Sequence, residues 1–178
     1  METWITKQEI HHGKIFSLWG GQVSLDNGRT AVREYVQHSG GVAIVPVVNH
    51  SVILIRQFRI AIERDLIELP AGRLEPGEEP ITCAARELEE EIGYRPRQLI
   101  PLASYFSSVG FTDERMHIFL APEPEKATLK LEADERIREV IMPIEVIREK
   151  LDAQVFEDAK TIIGLREFLG YLERSQAK

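Results

Sequence analysis

Apolar residues run almost unbroken from Val42 to Val48, again from Val52 to Phe58, and briefly from Leu66 to Leu69. Runs of this kind, without alternation, read as strands covered on both faces. Two earlier stretches, Phe16 to Leu25 and Thr30 to Gln37, do alternate, and they flank Asp26-Asn27-Gly28-Arg29. That pattern predicts a hairpin closed by a glycine turn. Further strands are expected at Leu99 to Phe106, Met116 to Leu120 and Glu139 to Met142, with residues 107–115 joining the first two and an exposed connection from Pro122 to Ala133. Helical spacing appears from Ile144 to Leu151 and from Glu157 to Leu172, the latter with Ile162, Leu165, Leu169 and Leu172 on one stripe.

A third helix is expected from Pro80 to Ile92. Pro80 suits the first helical position, where its missing N–H costs nothing, and Gly93 suits the left-handed residue that ends a helix. At about 100° per residue, Ile81, Ala85, Leu88 and Ile92 form a packing stripe, and Glu87, Glu90 and Glu91 gather on the roughly opposite arc. Strands on both sides of this helix, followed by two closing helices, predict a mixed α/β layout. There is no internal repeat.

With 178 residues, of which 43% are apolar, the chain can bury one good core, so a single domain with an appendage is expected. The net charge of −7 argues against a nucleic-acid backbone as partner. No apolar run approaches the roughly 20 residues of a membrane span, and the N-terminus lacks the basic and apolar regions of a signal peptide. No membrane partner is expected, and the protein is expected in the cytoplasm. The lone Cys83 makes no internal disulfide, in keeping with a reducing compartment, and a packing role suits it best.

The acidic arc carries the chemistry. Carboxylates at i, i+3 and i+4 repel one another, more strongly once partly dehydrated, and a divalent cation reverses that sign. Magnesium and manganese prefer oxygen ligands and keep several waters, so two or three carboxylates, a backbone carbonyl and substrate phosphate oxygens make a sensible shell. Arg86 can pair with Glu90 one turn on.

Gly72, Glu78, Arg86, Glu87, Leu88, Glu90, Glu91 and Gly93 stand in the register of the Nudix box, and this segment resembles it, with Tyr94 at a position that is usually aliphatic. The resemblance implies an α/β/α sandwich with a mixed central sheet, here over residues 41–178, preceded by an antiparallel β appendage over residues 1–40. It implies hydrolysis of a nucleoside diphosphate linked to another group.

The stretches Arg56-Gln57-Phe58-Arg59-Ile60-Ala61, Glu68-Leu69-Pro70-Ala71-Gly72, His38-Ser39-Gly40-Gly41 and Gly110-Phe111-Thr112-Asp113-Glu114-Arg115 are similar to the ADP-ribose pyrophosphatase branch. Val109 departs from it, standing where that branch often has proline, and GDP-mannose or another nucleotide sugar is the alternative substrate. A non-catalytic nucleotide sensor is a further alternative, disfavoured by the intact Glu87, Glu90 and Glu91. By this likeness Ala71 (through its carbonyl), Glu87, Glu90 and Glu91 would hold Mg2+, with Mn2+ as a possible substitute. Arg59 and, more weakly, Arg56 would contact substrate. Glu114 would be the general base, with Glu90 the second candidate. The N-terminal strands would cross over in a homodimer and help build the partner's adenosine pocket, where Trp4 or Trp19 would stack on the base.

Overall fold

Four strands open the chain: β1 (Thr3–Trp4), β2 (Gln8–His12), β3 (Phe16–Ser24) and β4 (Thr30–His38). In the computed structural model, which describes residues 1–129 and 136–176, they form one antiparallel sheet centred on β3. The expected hairpin is β3 and β4. Its turn needs glycine, because Gly28 takes φ +79° while its N–H donates to the Leu25 carbonyl at 3.0 Å. No hydrophobic pattern marks β1 and β2, whose residues are all exposed and so show no alternation of burial.

These strands belong to the first of two compact units, Met1–Gly40 together with Tyr105–Arg115. The second segment is fastened to β4. Thr112 forms a parallel bridge with Val36, the Val36 N–H donates to the Phe111 carbonyl at 2.7 Å, and the His38 N–H donates to Asp113 Oδ1 at 2.8 Å.

The remaining elements are β5 (Gly41–Val48), β6 (Ser51–Arg59), β7 (Arg64–Glu68), β8 (Ala71–Arg73), α1 (Pro80–Ile92), β9 (Tyr94–Arg95), β10 (Ile100–Phe106), β11 (Arg115–Pro122), β12 (Glu125–Lys126), β13 (Ile137–Pro143), α2 (Ile144–Asp152) and α3 (Ala159–Gln176). The second unit comprises Gly41–Ser104 and Met116–Lys178. Its sheet runs β10-β11-β5-β6-β13, with β8 added to β5 and β7 added to β6. The β5–β11 pairing is parallel, and β5–β6, β5–β8, β6–β7 and β6–β13 are antiparallel, so the sheet is mixed. Part of the connection expected from Pro122 to Ala133 is ordered by β12 pairing with β9, and its residues 130–133 lie outside the described residues.

The unbroken apolar runs have the predicted cause. In β5, Val42 and Ile44 pack in the cluster that also holds Cys83, Ala84, Leu88 and Ile92 of α1. Val45 points the other way, to Gly164 of α3, which also meets Leu69 and Ile118. Helices therefore cover both faces of the sheet. Gly164 lets α3 approach closely, since a Cβ there would come within 2.5 Å of Leu69 Cδ1 and 3.3 Å of Ile118 Cγ2. Leu165 and Leu169 are buried as expected, but the stripe is completed by Thr161, Gly164 and Phe168, and Ile162 and Leu172 are half-buried.

Helix α1 begins at Pro80 and ends where Gly93 turns left-handed at φ 67°, its N–H bonding the Glu89 carbonyl. Its buried arc differs from the sequence expectation. Ile81 is 50% exposed, whereas Cys83 and Ala84 are fully buried beside Leu88 and Ile92. Cys83 is thus a packing residue, as expected.

Gly164→Val is expected to destabilise the chain by about 1–3 kcal/mol, the usual cost of overpacking a filled core. Urea unfolding measures it, and an unchanged midpoint would refute the tight α3–sheet contact.

Candidate active site

The box owes its glycine to a carboxylate. A Cβ at Gly72 would lie 1.8 Å from the Glu87 carboxyl carbon and 1.9 and 2.3 Å from its oxygens, so only glycine lets Glu87 lie over the β8 backbone. One turn on, Glu91 Oε2 accepts the Ala71 N–H at 2.8 Å. Glu87 and Glu91 are consequently buried, 9% and 5% exposed, on the packed side of α1. The sequence expectation of a packed face set against an acidic one is corrected here. A bare glycine and a backbone N–H on the neighbouring strand make room for two carboxylates within the packed arc.

Arg86 holds the cluster together. Its Nε and Nη2 form a fork on the Glu78 carboxylate, both at 3.0 Å, while Nη1 reaches Glu87 Oε1 at 2.7 Å and Glu90 Oε2 at 2.8 Å. The expected Arg86–Glu90 pair is present, as one arm of a larger hub. Hydrogen bonding to Arg86 pulls the Glu78 carboxyl down to about 2, and in return Glu78, with Glu87 and Glu90, raises the Arg86 pKa. The neighbouring Cys83 thiol bonds the Arg73 carbonyl at 3.4 Å, and burial pushes its pKa up to about 12, so it is inert.

Ala71, Gly72, Arg73, Glu75, Arg86, Glu87 and Glu90 line a cleft of about 230 Å³. Three of the expected metal-holding residues, Ala71, Glu87 and Glu90, therefore share one cleft, and Glu91 is tied to Ala71 beside it. The donor set is all oxygen, which suits a hard divalent cation. Among the described residues no three His, Cys, Asp or Glu side chains form a complete cage. A magnesium-type shell, which keeps waters and takes phosphate oxygens, does not require one.

The expected substrate residues are placed differently from one another. Arg59, at the end of β6, donates from Nε and Nη2 to Glu68 at 2.7 and 2.8 Å. Glu68 is only 1% exposed and also binds Lys160 of α3. Burial alone would raise the Glu68 pKa, but Arg59 and Lys160 together hold it below the usual carboxylate range. Arg56 is exposed on the same strand.

Glu114 belongs to the first unit, where its Oε1 lies 3.5 Å from His38 Nδ1. That nitrogen accepts the Gly40 N–H at 3.0 Å. Trp4 lines a cavity of about 450 Å³ in the first unit, with Glu2, Arg33, Tyr35, Phe111 and Asp113 among its other walls. Trp19 is engaged elsewhere, with its Nε1–H on Gln37 Oε1 at 2.8 Å and Lys7 Nζ 4.6 Å from its ring centre.

Sequence reasoning missed Glu68 and Lys160. A carboxylate inside the apolar run Leu66–Leu69 was a usable signal, because a buried strand carries a charge only when that charge is paired. Lys160 left no signal, since its partner lies 92 positions away.

The Glu78–Arg86 fork predicts a pH dependence. A carboxyl lowered on folding from 4.5 to about 2 stabilises the fold fully above pH 4.5 and loses that contribution as pH falls towards 2. Chemical unfolding across this window is expected to show the loss in the parent protein and a flatter profile in Glu78→Gln. Parallel profiles would remove Glu78 as its source.

The geometry can be set beside known proteins. The NUDIX domain family model matches residues 37–163. The ADP-ribose pyrophosphatase of Bacillus subtilis (strain 168) is 38% identical over 99% of this chain and 97% of its own length. The methanol dehydrogenase activator of Bacillus methanolicus is 34% identical over 99% and 95%. A crystal structure of an ADP compounds hydrolase superposes with TM-score 0.87, covering 98% of this chain and 95% of its own; at 23% identity it bears on the fold alone. With the glycine-seated carboxylates and the Arg86 hub in register with the box, and a family match spanning most of its length, this chain belongs to the Nudix family of hydrolases.

Proposed function

We propose that the chain is a metal-dependent ADP-ribose pyrophosphatase that yields AMP and ribose 5-phosphate. The observation that carries this reading is the oxygen-lined cleft of Ala71, Gly72, Glu87 and Glu90 against the box helix. The substrate rests on likeness along the whole chain to the Bacillus subtilis ADP-ribose pyrophosphatase. Hydrolysis of GDP-mannose or another nucleoside diphosphate sugar is the second reading, left open by Val109 in place of the proline of the branch.

Glu87, Glu90, Glu91 and the Ala71 carbonyl would hold Mg2+, or Mn2+ in its stead. Such a cation, when bound, would polarise the pyrophosphate and lower the pKa of the attacking water. Arg86 keeps Glu87 and Glu90 in place between turnovers, when their mutual repulsion is greatest. Arg59, 39% exposed, offers a guanidinium to the substrate phosphates, with Arg56 in a lesser role. Water adds to one phosphorus, the bridging P–O bond breaks, and the water proton passes to Glu114, or failing that to Glu90.

The first unit serves a homodimer. Ile10, Phe16 and Val32 of its sheet are each at least 43% exposed, an apolar surface that a second copy would cover. Trp4, in the cavity that Tyr35 and Phe111 also line, is the better placed of the two tryptophans to stack on adenine. The buried lone thiol of Cys83 suits a reducing cytoplasm. Among the described residues no helix is long and apolar enough to cross a membrane.

A panel of nucleoside diphosphate sugars is expected to show ADP-ribose cleaved best, with Mg2+ required. Brisk GDP-mannose cleavage without ADP-ribose cleavage would replace the substrate. Glu114→Gln should lower kcat by roughly 10²- to 10⁴-fold, the usual contribution of a positioned base; near-parent turnover would pass that role to Glu90. Sedimentation should show a dimer, lost on truncation before Gly40, and a fully active monomer would refute it.

A further inference from the structure

Arg59, Glu68 and Lys160 come from β6, β7 and α3 and meet at one carboxylate. Arg59 uses Nε and Nη2 on Glu68, at 2.7 and 2.8 Å, so the guanidinium plane is fixed by a two-point fork. Its third nitrogen, Nη1, lies at the opposite corner of that plane. Lys160 Nζ binds the Glu68 oxygen that Nη2 uses, and Asp158 Oδ1 at 3.0 Å.

Lys160 is itself fixed. Asp158 Oδ2 accepts the Thr161 N–H at 3.0 Å and its hydroxyl at 2.6 Å, capping the first turn of α3. Thr161 Oγ1 accepts the Leu69 N–H at 2.9 Å, clamping that turn to the residue after Glu68. The arrangement is buried at its base and open at its tip: Glu68 is 1% exposed, Lys160 16% and Arg59 39%. The Glu91 carboxylate also favours the Arg59 cation, which places the guanidinium within the field of the box helix.

Buried ion clusters are a weak source of stability, because desolvation offsets the attraction. A cluster that ends in one partly exposed guanidinium has another use, which is aiming that group. We infer that Lys160 is a positioning residue: through buried Glu68 it fixes the Arg59 guanidinium in the orientation that receives a phosphate of the substrate. The inference rests on the proposed use of Arg59 and adds to it the residues that set its geometry.

The test is a double-mutant cycle on the full chain. Lys160→Met should raise KM for ADP-ribose about five- to ten-fold with kcat within about two-fold, the pattern of a lost binding interaction. Lys160→Arg, which keeps the charge, should return KM to within about two-fold of the parent. In an Arg59→Met background Lys160→Met should change KM by less than about 1.5-fold, because its route to the substrate is gone. The dissociation constant of ADP-ribose in EDTA gives the same comparison without turnover. Equal factors with and without Arg59, or a fall in kcat at constant KM, would overturn the inference. Should Lys160→Met lose its cooperative unfolding transition, Lys160→Gln carries the cycle instead. If the parent takes GDP-mannose and not ADP-ribose, the substrate reading fails, and the cycle read with GDP-mannose still decides this one.

Discussion

The site depends on one guanidinium. Arg86 donates to Glu78, Glu87 and Glu90, three carboxylates within 13 residues that would otherwise face one another across a partly dehydrated cleft. Unscreened, such a group repels itself, and the cheapest relief is protonation or a shift of α1 away from β8. Arg86 supplies the opposite charge at hydrogen-bond distance to all three, which holds them in place. The depressed Glu78 pKa records how far the balance favours the charged form.

That arrangement requires a close approach of helix and strand, and two residues secure it. Gly72 removes the side chain that would occupy the place of the Glu87 carboxyl, and the Ala71 N–H gives Glu91 a partner. The rest of the second unit holds β8 and α1 in this contact. β8 hydrogen-bonds along β5, and α1 packs Cys83, Ala84, Leu88 and Ile92 onto the same strand's Val42 and Ile44. Proline at its start and a left-handed glycine at its end set the length of α1, so its last turn presents Glu90 and Glu91 at fixed positions.

The same logic recurs at a second charged cluster of this unit. Glu68 is buried as completely as its apolar neighbours, and it is tolerated because two cations and a capped helix turn converge on it. Both clusters place a buried acid, Glu87 or Glu68, against an arginine that is still partly exposed. In the first unit the corresponding anchor is the backbone pairing of residues 105–115 with β4, where Asp113 and Val36 fix the segment that carries Glu114.

Much of this was legible in the chain. The runs at Val42–Val48 and Val52–Phe58 became β5 and β6 because a strand covered on both faces has no polar side to display. Pro80 and Gly93 marked both ends of α1, since backbone conformation at helix ends is a local property. The box residues stood at fixed spacings, and a helix converts spacing directly into geometry. Other features were not local. The exposed strands β1 and β2 exist only through pairing with β3. Ile81 was expected to pack and is exposed, while Glu87 and Glu91 are buried. The buried arc of α1 was decided by the empty space above Gly72 and the N–H of Ala71, neither of which periodicity can register. Lys160 met Glu68 only once α3 had docked on the sheet. Sequence determined the features that arise from bonding along the chain; tertiary structure decided which carboxylates a distant backbone and distant cations would accommodate, because desolvation and charge pairing depend on neighbours that the chain's order does not name.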